Sequence, residues 1–353
     1  MVKDMSDGAS HAPNVYDAEP IPTLAREEVE RLLLSGDLFR YTAAKDAPVT
    51  LLEQEFAAML GAKYALAVAS CSAALFLSLK ALDLPRDARV LIPAFTFAAV
   101  PSAIVHANCT PVLVECGDNY RIDLDDFHAK IDCFSFQSYK LLNGGEGGIM
   151  ITDDAEVYAR AVIMSGAYEH NWAKHNPQRD NALVEAFDRW QNKLPLYNTR
   201  LSNMSATLVR PQIKEVPRRV ADGRRNHDYV AALLEASPYL TVPAKLDKEV
   251  RAPDSLQFNL VDFSREEALS FQNAAKARGV SVQVFGLSTD NARAFWNWQF
   301  LGETPELPKT REMLSKACDT RLPARLQQPD LDFIADALLG AAEAVKGVRA
   351  AAE

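Results

Sequence analysis

Short apolar runs alternate with amphipathic helical patterns along the first half of the chain, and this alternation restricts the fold more than any other feature. The strand-like run KYALAVAS precedes a helical pattern that begins at Cys71, and the runs ARVLIPAF and TPVLVEC flank another. Strands that alternate with helices predict an α/β layer with a mainly parallel sheet. Beyond Pro243 two strand-like runs flank one helix, which predicts an α+β unit. We therefore expect a large domain over residues 1–242 and a smaller one over 243–353.

Two segments between these regions carry weaker signals. Residues 173–196 are polar and irregular in sequence, which predicts a loop. Residues 202–236 predict a long helix that bends near Pro211 and Pro217, because proline removes a backbone donor and clashes with the preceding turn. Four arginines of this helix are expected on its solvated face. They are Arg218, Arg219, Arg224 and Arg225.

Composition excludes several classes of function. A net charge of −9 argues against nucleic acid or an anionic membrane as the main partner. No apolar run approaches the length that spans a bilayer, and the polar start lacks the apolar core of a signal peptide. The five cysteines are scattered, without a CxxC pair, which favours a reducing cytoplasm over a disulfide framework. His170 and His175 are expected at the surface, and we expect no metal site.

The stretch FSFQSYKLLNGGEGGIMITDD contains a single lysine, Lys140, between two strand-like runs. An ordinary glycine-rich hairpin explains it, and so does a nucleophilic amine in a turn that a bound group approaches closely. A second weak signal is the helix that opens with Ser70, Cys71 and Ser72 directly after a strand, because helix N-termini bind phosphate. Each signal alone leaves both interpretations open.

Taken in order, the motifs resemble the DegT/StrS-type family of sugar aminotransferases, which depend on pyridoxal phosphate. The resemblance implies the aspartate aminotransferase fold, fold type I, with a three-layer α/β large domain and a small α+β domain. It covers most of the chain, and the ordered set is far more specific than any one motif. The segments that carry it are LSGDLFRYT, EQEFAAMLGAKYALAVASCSAAL, VLIPAFTFAAVPSAIVHANCTPVLVE, CFSFQSYKLLNGGEGGIMITDD and YNTRLSNMSATLVRPQI.

The resemblance implies a role for residues at the phosphate end of the cofactor. Lys140 matches the lysine that forms the Schiff base with pyridoxal phosphate, and a primary amine suits that exchange chemistry. Ser135 matches the hydroxyl that contacts the phosphate. Cys71 and Ser72 match a Gly-Thr pair that holds the same phosphate. Cysteine in place of glycine keeps the N–H group but crowds the turn.

The resemblance also implies contacts with the cofactor ring and with a second subunit. Phe97 matches an aromatic that stacks on the pyridine ring. Asn198 matches an asparagine supplied by the neighbouring subunit, so a homodimer with a shared site is expected. The glycine-rich turn at 144–148 matches one where side chains would obstruct the site. The implied reaction moves an amino group from glutamate or glutamine to a keto-sugar-like acceptor.

One departure from the family pattern lies between Ile131 and Asp132. The family has a further stretch there, on the order of two βα units and so roughly 60 residues. By the resemblance, that stretch holds two central strands and the acid that pairs with the pyridine nitrogen. Asp132 begins a different strand from the one that carries this acid in the family, and we do not expect it to take the role.

Three readings compete, and the ordered motifs already argue against the third, so two remain open on the sequence alone. The chain is an aminotransferase whose active form has a further segment, or a shortened, non-catalytic relative that binds cofactor or pairs with a partner subunit. The third reading is an unrelated α/β binding protein with an ordinary turn lysine. A shortened chain is expected to expose apolar surface where the central strands are missing.

Overall fold

The computed structural model describes residues 12–121, 131–167, 171–176, 180–246 and 249–350. Its helices are α1 (Thr23–Ser35), α2 (Pro48–Leu60), α3 (Cys71–Ala81), α4 (Ala99–His106), α5 (Ala155–Gly166), α6 (Asn171–His175), α7 (Asn181–Trp190), α8 (Asn203–Val209), α9 (Val216–Leu234), α10 (Arg265–Ala277), α11 (Pro308–Lys316) and α12 (Gln328–Ala350). Its strands are β1 (Tyr64–Val68), β2 (Arg89–Pro93), β3 (Thr110–Val114), β4 (Ile131–Ser135), β5 (Gly148–Thr152), β6 (Leu240–Thr241), β7 (Ser255–Leu260), β8 (Gln283–Val284) and β9 (Ala317–Arg321).

A three-stranded sheet in the order β1-β5-β4 forms the centre of the first half, and β5 runs antiparallel to both neighbours. Side chains alternate between the faces, so Leu66 and Met150 pack toward α3, α5 and α7. Ala65 and Ile149 pack toward α2 and α8 on the other face. Helices therefore cover both faces of the sheet, and the predicted three-layer α/β arrangement is confirmed. The expectation of a mainly parallel sheet is wrong for the described strands, because β5 pairs antiparallel with β1 and β4, and the parallel pair is β2 and β3.

A second, separate sheet contains only the parallel pair β2 and β3. It packs with α4 against Phe285, Trp298 and Leu314 of the second half of the chain. In the described part of the chain, no strand joins this pair to β4, although β3 and β4 are consecutive strands. The side chain of Leu91 on β2 is 56% exposed, which agrees with the expected exposure of apolar surface.

The second half of the chain contains a four-stranded antiparallel sheet in the order β6-β7-β9-β8. Helices α10 and α12 cover it, and Phe258, Phe271 and Leu338 lie in its core. A capping box at Ser264 begins α10. The end of α9 contributes Val230 to the same core, so this unit begins close to the predicted boundary at 242–243. The boundary itself stays a prediction.

The predicted loop at 173–196 is wrong. The chain forms α7 there, and Trp172 of α6 stacks on Phe187 of α7 with ring centroids 3.9 Å apart. The expected surface position of His175 is also wrong, because its side chain is buried. His170 lies outside the described residues. Apolar residues of α7 face the core, while its many charges hide the helical periodicity in the sequence.

The predicted bend near Pro211 and Pro217 is confirmed, because α8 passes into a short 3-10 helix and then into α9. The expectation for Arg219 is wrong: this guanidinium is buried, whereas Arg218 and Arg225 are exposed and paired with Asp222. Within the described ranges, no helix has both the length and the apolar character needed to cross a membrane.

Candidate active site

Lys140 lies in the tight connection between β4 and β5. The hairpin register pairs Ser135 with Gly148, and backbone bonds continue the ladder beyond the strands. The amide of Phe136 donates to the carbonyl of Gly147 at 2.9 Å, and the amide of Lys140 donates to the carbonyl of Gln137, also at 2.9 Å. The turn is therefore an ordered hairpin end in which Lys140 is half-buried.

The glycines let this hairpin approach the start of α3. A Cβ atom on Gly148 would lie 2.4 Å from the backbone nitrogen of Cys71, far inside contact distance. Gly147 has a φ of +144° and faces Leu201 and Phe136, so a side chain is excluded there as well. At Gly148 a side chain would thus clash with the first turn of α3, and at Gly147 with Leu201; obstruction of the site itself stays a prediction.

The first turn of α3 presents open backbone N–H groups at the same end of the sheet. Ser70 caps the helix by accepting from the amide of Ala73 at 3.1 Å, while Cys71 and Ser72 begin the helix. Burial raises the pKa of the Cys71 thiol, and the charge of Lys140 partly offsets this rise. Gly148 of the same hairpin lies against Cys71, so the hairpin that carries Lys140 adjoins the first turn of α3.

Ser135 lies on the same face of β4 as Cys133, whose sulfur is 3.4 Å from the hydroxyl of Ser78 on α3. The Ser135 hydroxyl accepts from the amide of Gln137 at 3.4 Å. The structure thus brings Cys71, Ser72, Ser135 and Lys140 together at one end of the β1-β5-β4 sheet. Such a group offers backbone donors, hydroxyls and an amine to an anionic ligand.

Three side chains to which the sequence gave no role in the site hold the carbonyls of the Lys140 turn. Gln212 donates to the carbonyl of Asn143 at 2.7 Å. Arg219 donates to the carbonyl of Leu141 at 2.6 Å, and Arg321 donates to that of Tyr139 at 2.9 Å. Burial lowers the pKa of Arg219. Gln212 stands in the family segment YNTRLSNMSATLVRPQI, but no motif gave any of the three a contact with this turn, because they come from positions far along the chain.

Phe97 and Asn198 have no described contact with the Lys140 turn. Phe97 lies two residues before α4, beyond the end of β2, with its side chain 59% exposed. Asn198 is exposed and has a φ of +53°. The carbonyl of its neighbour Thr199 accepts from the amide of Ala69 at 2.7 Å, which places this segment beside the strand end that leads into α3. The roles expected of Phe97 and Asn198 stay predictions.

Asp132 lies on the opposite face of β4 from Ser135. Its same-face neighbour Phe134 packs on Phe56 of α2, with ring centroids 5.3 Å apart. A carboxylate here faces away from the start of α3, which agrees with the expectation that Asp132 does not pair with a cofactor ring. The described residues contain no group of three or more His, Cys, Asp or Glu side chains that could hold a metal ion.

A sequence profile of the DegT/DnrJ/EryC1/StrS aminotransferase family matches residues 25–132 and 127–339. The chain belongs to this family. The family match rules out the reading as an unrelated α/β binding protein. It also accounts for the fold, since the two matched stretches include β1 to β9.

Relatives with curated names match parts of the chain. The spore coat polysaccharide biosynthesis protein SpsC of Bacillus subtilis is 38% identical over 102 residues, which are 28% of this chain and 25% of SpsC. A UDP-N-acetyl-3-dehydro-α-D-glucosamine 3-aminotransferase of Acidithiobacillus ferrooxidans is 25% identical over 234 residues, covering 49% of this chain and 58% of the enzyme. The chain thus spans from a quarter to a little over half the length of these two relatives.

The solved structure of Helicobacter pylori PseC, an aminotransferase involved in the biosynthesis of pseudoaminic acid, has the same fold. The TM-score is 0.77 at 16% identity, and the match covers 93% of this chain and 99% of PseC. The crystal structure of 3-amino-5-hydroxybenzoic acid synthase gives the same TM-score at 19% identity, covering 94% and 99%. These likenesses establish fold type I.

The alignments also locate a gap. The alignment with the Acidithiobacillus enzyme is 234 positions long, but it includes only 49% of this 353-residue chain, which is about 173 residues. The difference means that about 61 positions of the alignment have no counterpart in this chain. The two family matches meet at residues 127–132. The length agrees with the roughly 60 residues expected for two βα units.

Proposed function

We propose that this chain is a pyridoxal-phosphate-dependent aminotransferase that moves an amino group from glutamate or glutamine to a keto-sugar-like acceptor. The observation that carries the proposal is that the hairpin holding Lys140 adjoins the start of α3 at Gly148, with Ser135 on the face of β4 that packs toward α3. The family relationship supports the reaction class.

The chemistry of this donor set fits the cofactor's phosphate and aldehyde ends. Backbone N–H groups of Cys71 and Ser72 and the hydroxyl of Ser135 would hold the phosphate, because all three can donate hydrogen bonds to an anion. The amine of Lys140 would bind the aldehyde carbon. Phe97 would cover the ring. At the ring nitrogen the fit is incomplete, since Asp132 faces the other side of the sheet.

The protein's own groups would position the reacting amine and would move a proton. When bound, pyridoxal phosphate supplies the electron sink for the substrate carbon. The amine of Lys140 would hold the aldehyde end of the cofactor and, when free, would move a proton at the substrate carbon next to the amine. Gln212, Arg219 and Arg321 fix the carbonyls around Lys140, which restricts the positions that the amine can take.

We also propose a homodimer in which Asn198 of each subunit serves the other's site. Apolar side chains of α1 support an interface, because Leu34 is 83% exposed and Leu33 is also exposed. Leu38, exposed as well, accepts through its carbonyl from the amide of Asn203, near the Asn198 segment. Light scattering should give twice the mass of one chain, and a monomer at working concentration contradicts this part of the proposal.

We propose the cytoplasm as the site of action. All five cysteines are free thiols, and three of them, Cys109, Cys116 and Cys318, are buried. A reducing compartment keeps such thiols unpaired.

The decisive experiment is chemical trapping on Lys140. Purified protein mixed with pyridoxal phosphate should develop a visible absorption band, and borohydride should then fix the cofactor to the peptide that contains Tyr139, Lys140 and Leu141. Lys140→Ala should abolish both signals, whereas Lys63→Ala serves as the control variant. Fixation at another lysine removes the assignment of Lys140. A panel of keto-sugars incubated with glutamate or glutamine, followed by mass spectrometry, then identifies the acceptor.

A further inference from the structure

A buried arginine on α9 holds the turn that contains Lys140. The side chain of Arg219 is only 2% exposed, and its Nη1 donates to the carbonyl of Leu141 at 2.6 Å and to Oε1 of Gln212 at 3.0 Å. Gln212 is fully buried; it accepts from the amide of Asn143 at 3.2 Å and donates to the carbonyl of the same residue at 2.7 Å. One network therefore holds the chain at two residues that follow Lys140.

The positive charge of Arg219 is balanced from the N-terminal part of the chain. Oε2 of Glu19 lies 3.9 Å from Nε of Arg219, and the described residues place no other carboxylate within 4 Å of this guanidinium. The distance is too long for a hydrogen bond, and Nε has no hydrogen-bond partner among the described residues. Burial lowers the pKa of Arg219, while the charge of Glu19 opposes the fall. A buried charge without a counter-ion is costly, so Glu19 favours the inward position of the guanidinium.

Glu19 belongs to a segment without helix or strand, residues 12–19, which we call the N-terminal strap. Carbonyl groups of the strap accept hydrogen bonds from Arg325, which precedes α12. Val15 of the strap packs against the core of the four-stranded sheet. The strap is thus fixed to the second half of the chain, and its Glu19 end reaches the arginine that holds the Lys140 turn.

We propose that Glu19 is a positioning residue for Lys140 that acts through Arg219, so that the N-terminal strap determines how well the turn is ordered for cofactor capture. With the carboxylate in place, the guanidinium stays inside and holds the carbonyl of Leu141. When the carboxylate is removed, the unbalanced charge moves toward solvent, and the turn loses this hydrogen bond. The step to cofactor capture rests on the proposed function, whereas the effect on the turn does not.

The first test is hydrogen exchange in the full chain without cofactor. We expect Glu19→Gln to raise the exchange rates of the Lys140 and Asn143 amides about tenfold or more, because the opening of the turn becomes easier. Glu19→Asp keeps the charge and should exchange more slowly than Glu19→Gln. Glu27→Gln on α1 is the control, because Glu27 is exposed, and it should exchange like the wild type.

The route through Arg219 has its own matched pair of variants. Arg219→Gln should raise the same exchange rates, whereas Arg218→Gln, its exposed neighbour on α9, should not. Adding Glu19→Gln to Arg219→Gln should have no further effect, because Glu19 acts only through that side chain. If Arg219→Gln fails to fold by circular dichroism, Glu19→Gln decides, since Gln has the shape of Glu and opens no cavity.

The second test is a titration with pyridoxal phosphate, followed by the visible absorption band. We expect Glu19→Gln to weaken binding about tenfold, with Glu27→Gln binding like the wild type. Unchanged exchange rates in Glu19→Gln overturn the inference. Faster exchange with unchanged affinity for pyridoxal phosphate overturns the positioning role. Failure to trap the cofactor on Lys140 in the wild type overturns the proposed function, and it is recognised separately because the exchange rates are measured without cofactor.

Discussion

Gly148 lies where the β4-β5 hairpin packs against the start of α3, the helix that would bind phosphate. An added Cβ would meet the backbone of Ser70 and Cys71 at 2.4–2.6 Å, and backbone atoms cannot turn aside as a side chain can. We expect Gly148→Ala to lower the free energy of unfolding by about 1–3 kcal/mol, the usual cost of overpacking. Chemical denaturation measures the effect. Gly347→Ala is the control, because nothing lies within 4 Å of that position; equal stability of both variants contradicts the predicted clash.

His175 should make stability depend on pH. Its Nδ1 lies 3.1 Å from the hydroxyl of Thr50, and burial, followed by the charges of Arg40 and Lys174, lowers its pKa to about 4. The unfolded chain binds this proton near pH 6.5, so it holds more protons than the folded chain between pH 6.5 and 4. The contribution of His175 to the free energy of unfolding is therefore complete above pH 6.5 and is lost as the pH falls toward 4.

In the wild type, His175 should lower the free energy of unfolding by on the order of 1–2 kcal/mol between pH 7 and pH 5. We expect His175→Gln to remove this part of the pH dependence. Urea denaturation at a series of pH values measures it. His106→Gln is the control, because His106 is exposed on α4. An unchanged slope in His175→Gln means that this histidine does not titrate differently in the two states.

Motifs in the sequence predicted residues at the ends of helices and strands. They did not predict contacts between residues far apart in the chain. Lys140 and Ser135 were recognisable because they are part of one ordered run with the glycine turn. Gln212, Arg219 and Arg321 were not, since they bind that run across 69, 78 and 182 residues of sequence. A buried arginine and a solvated one look alike in a helical pattern, which explains the wrong expectation for Arg219.

A buried carboxylate on α2 binds both an arginine and the backbone of β1. Glu53 of α2 accepts two hydrogen bonds from Arg40, at 2.8 and 2.6 Å, and a third from the amide of Ala67 in β1 at 2.8 Å. We expect Glu53→Ala to cost about 3–5 kcal/mol, because it leaves the buried charge of Arg40 without its partner. Thermal unfolding followed by circular dichroism measures the loss.

The matched control is on the same helix. Glu55 pairs with Arg210 at 2.7 Å in a partly exposed position, so Glu55→Ala should cost less than about 1 kcal/mol. Similar losses of stability in the two variants would show that burial does not determine how much these ion pairs contribute to the free energy of unfolding. At this scale the sequence was informative, since most of the periodic helices were predicted, whereas the short α6, the charge-rich α7 and α11 were missed.

The separation of β2 and β3 from the β1-β5-β4 sheet affects the behaviour of the whole molecule. Strand β2 pairs only with β3 among the described residues, and its Leu91 side chain is exposed. An exposed apolar strand edge favours association with other chains. We expect Leu91→Lys to lower concentration-dependent light scattering without lowering the melting temperature. Leu60→Lys at the exposed end of α2 is the control; an equal effect there shows that added charge, rather than the strand edge, is responsible.

The gap near residues 127–132 should separate cofactor capture from turnover. The groups that would hold the phosphate and the aldehyde are all present, whereas the family stretch expected to carry the acid for the ring nitrogen has no counterpart here. An acid or base in position contributes about 10²–10⁴-fold to a rate. We therefore expect trapping on Lys140 to succeed while conversion of the bound cofactor by glutamate, followed by absorbance, runs at least about 10²-fold slower than in a family member without the gap. Rates within a factor of a few show that another residue of this chain supplies the acid.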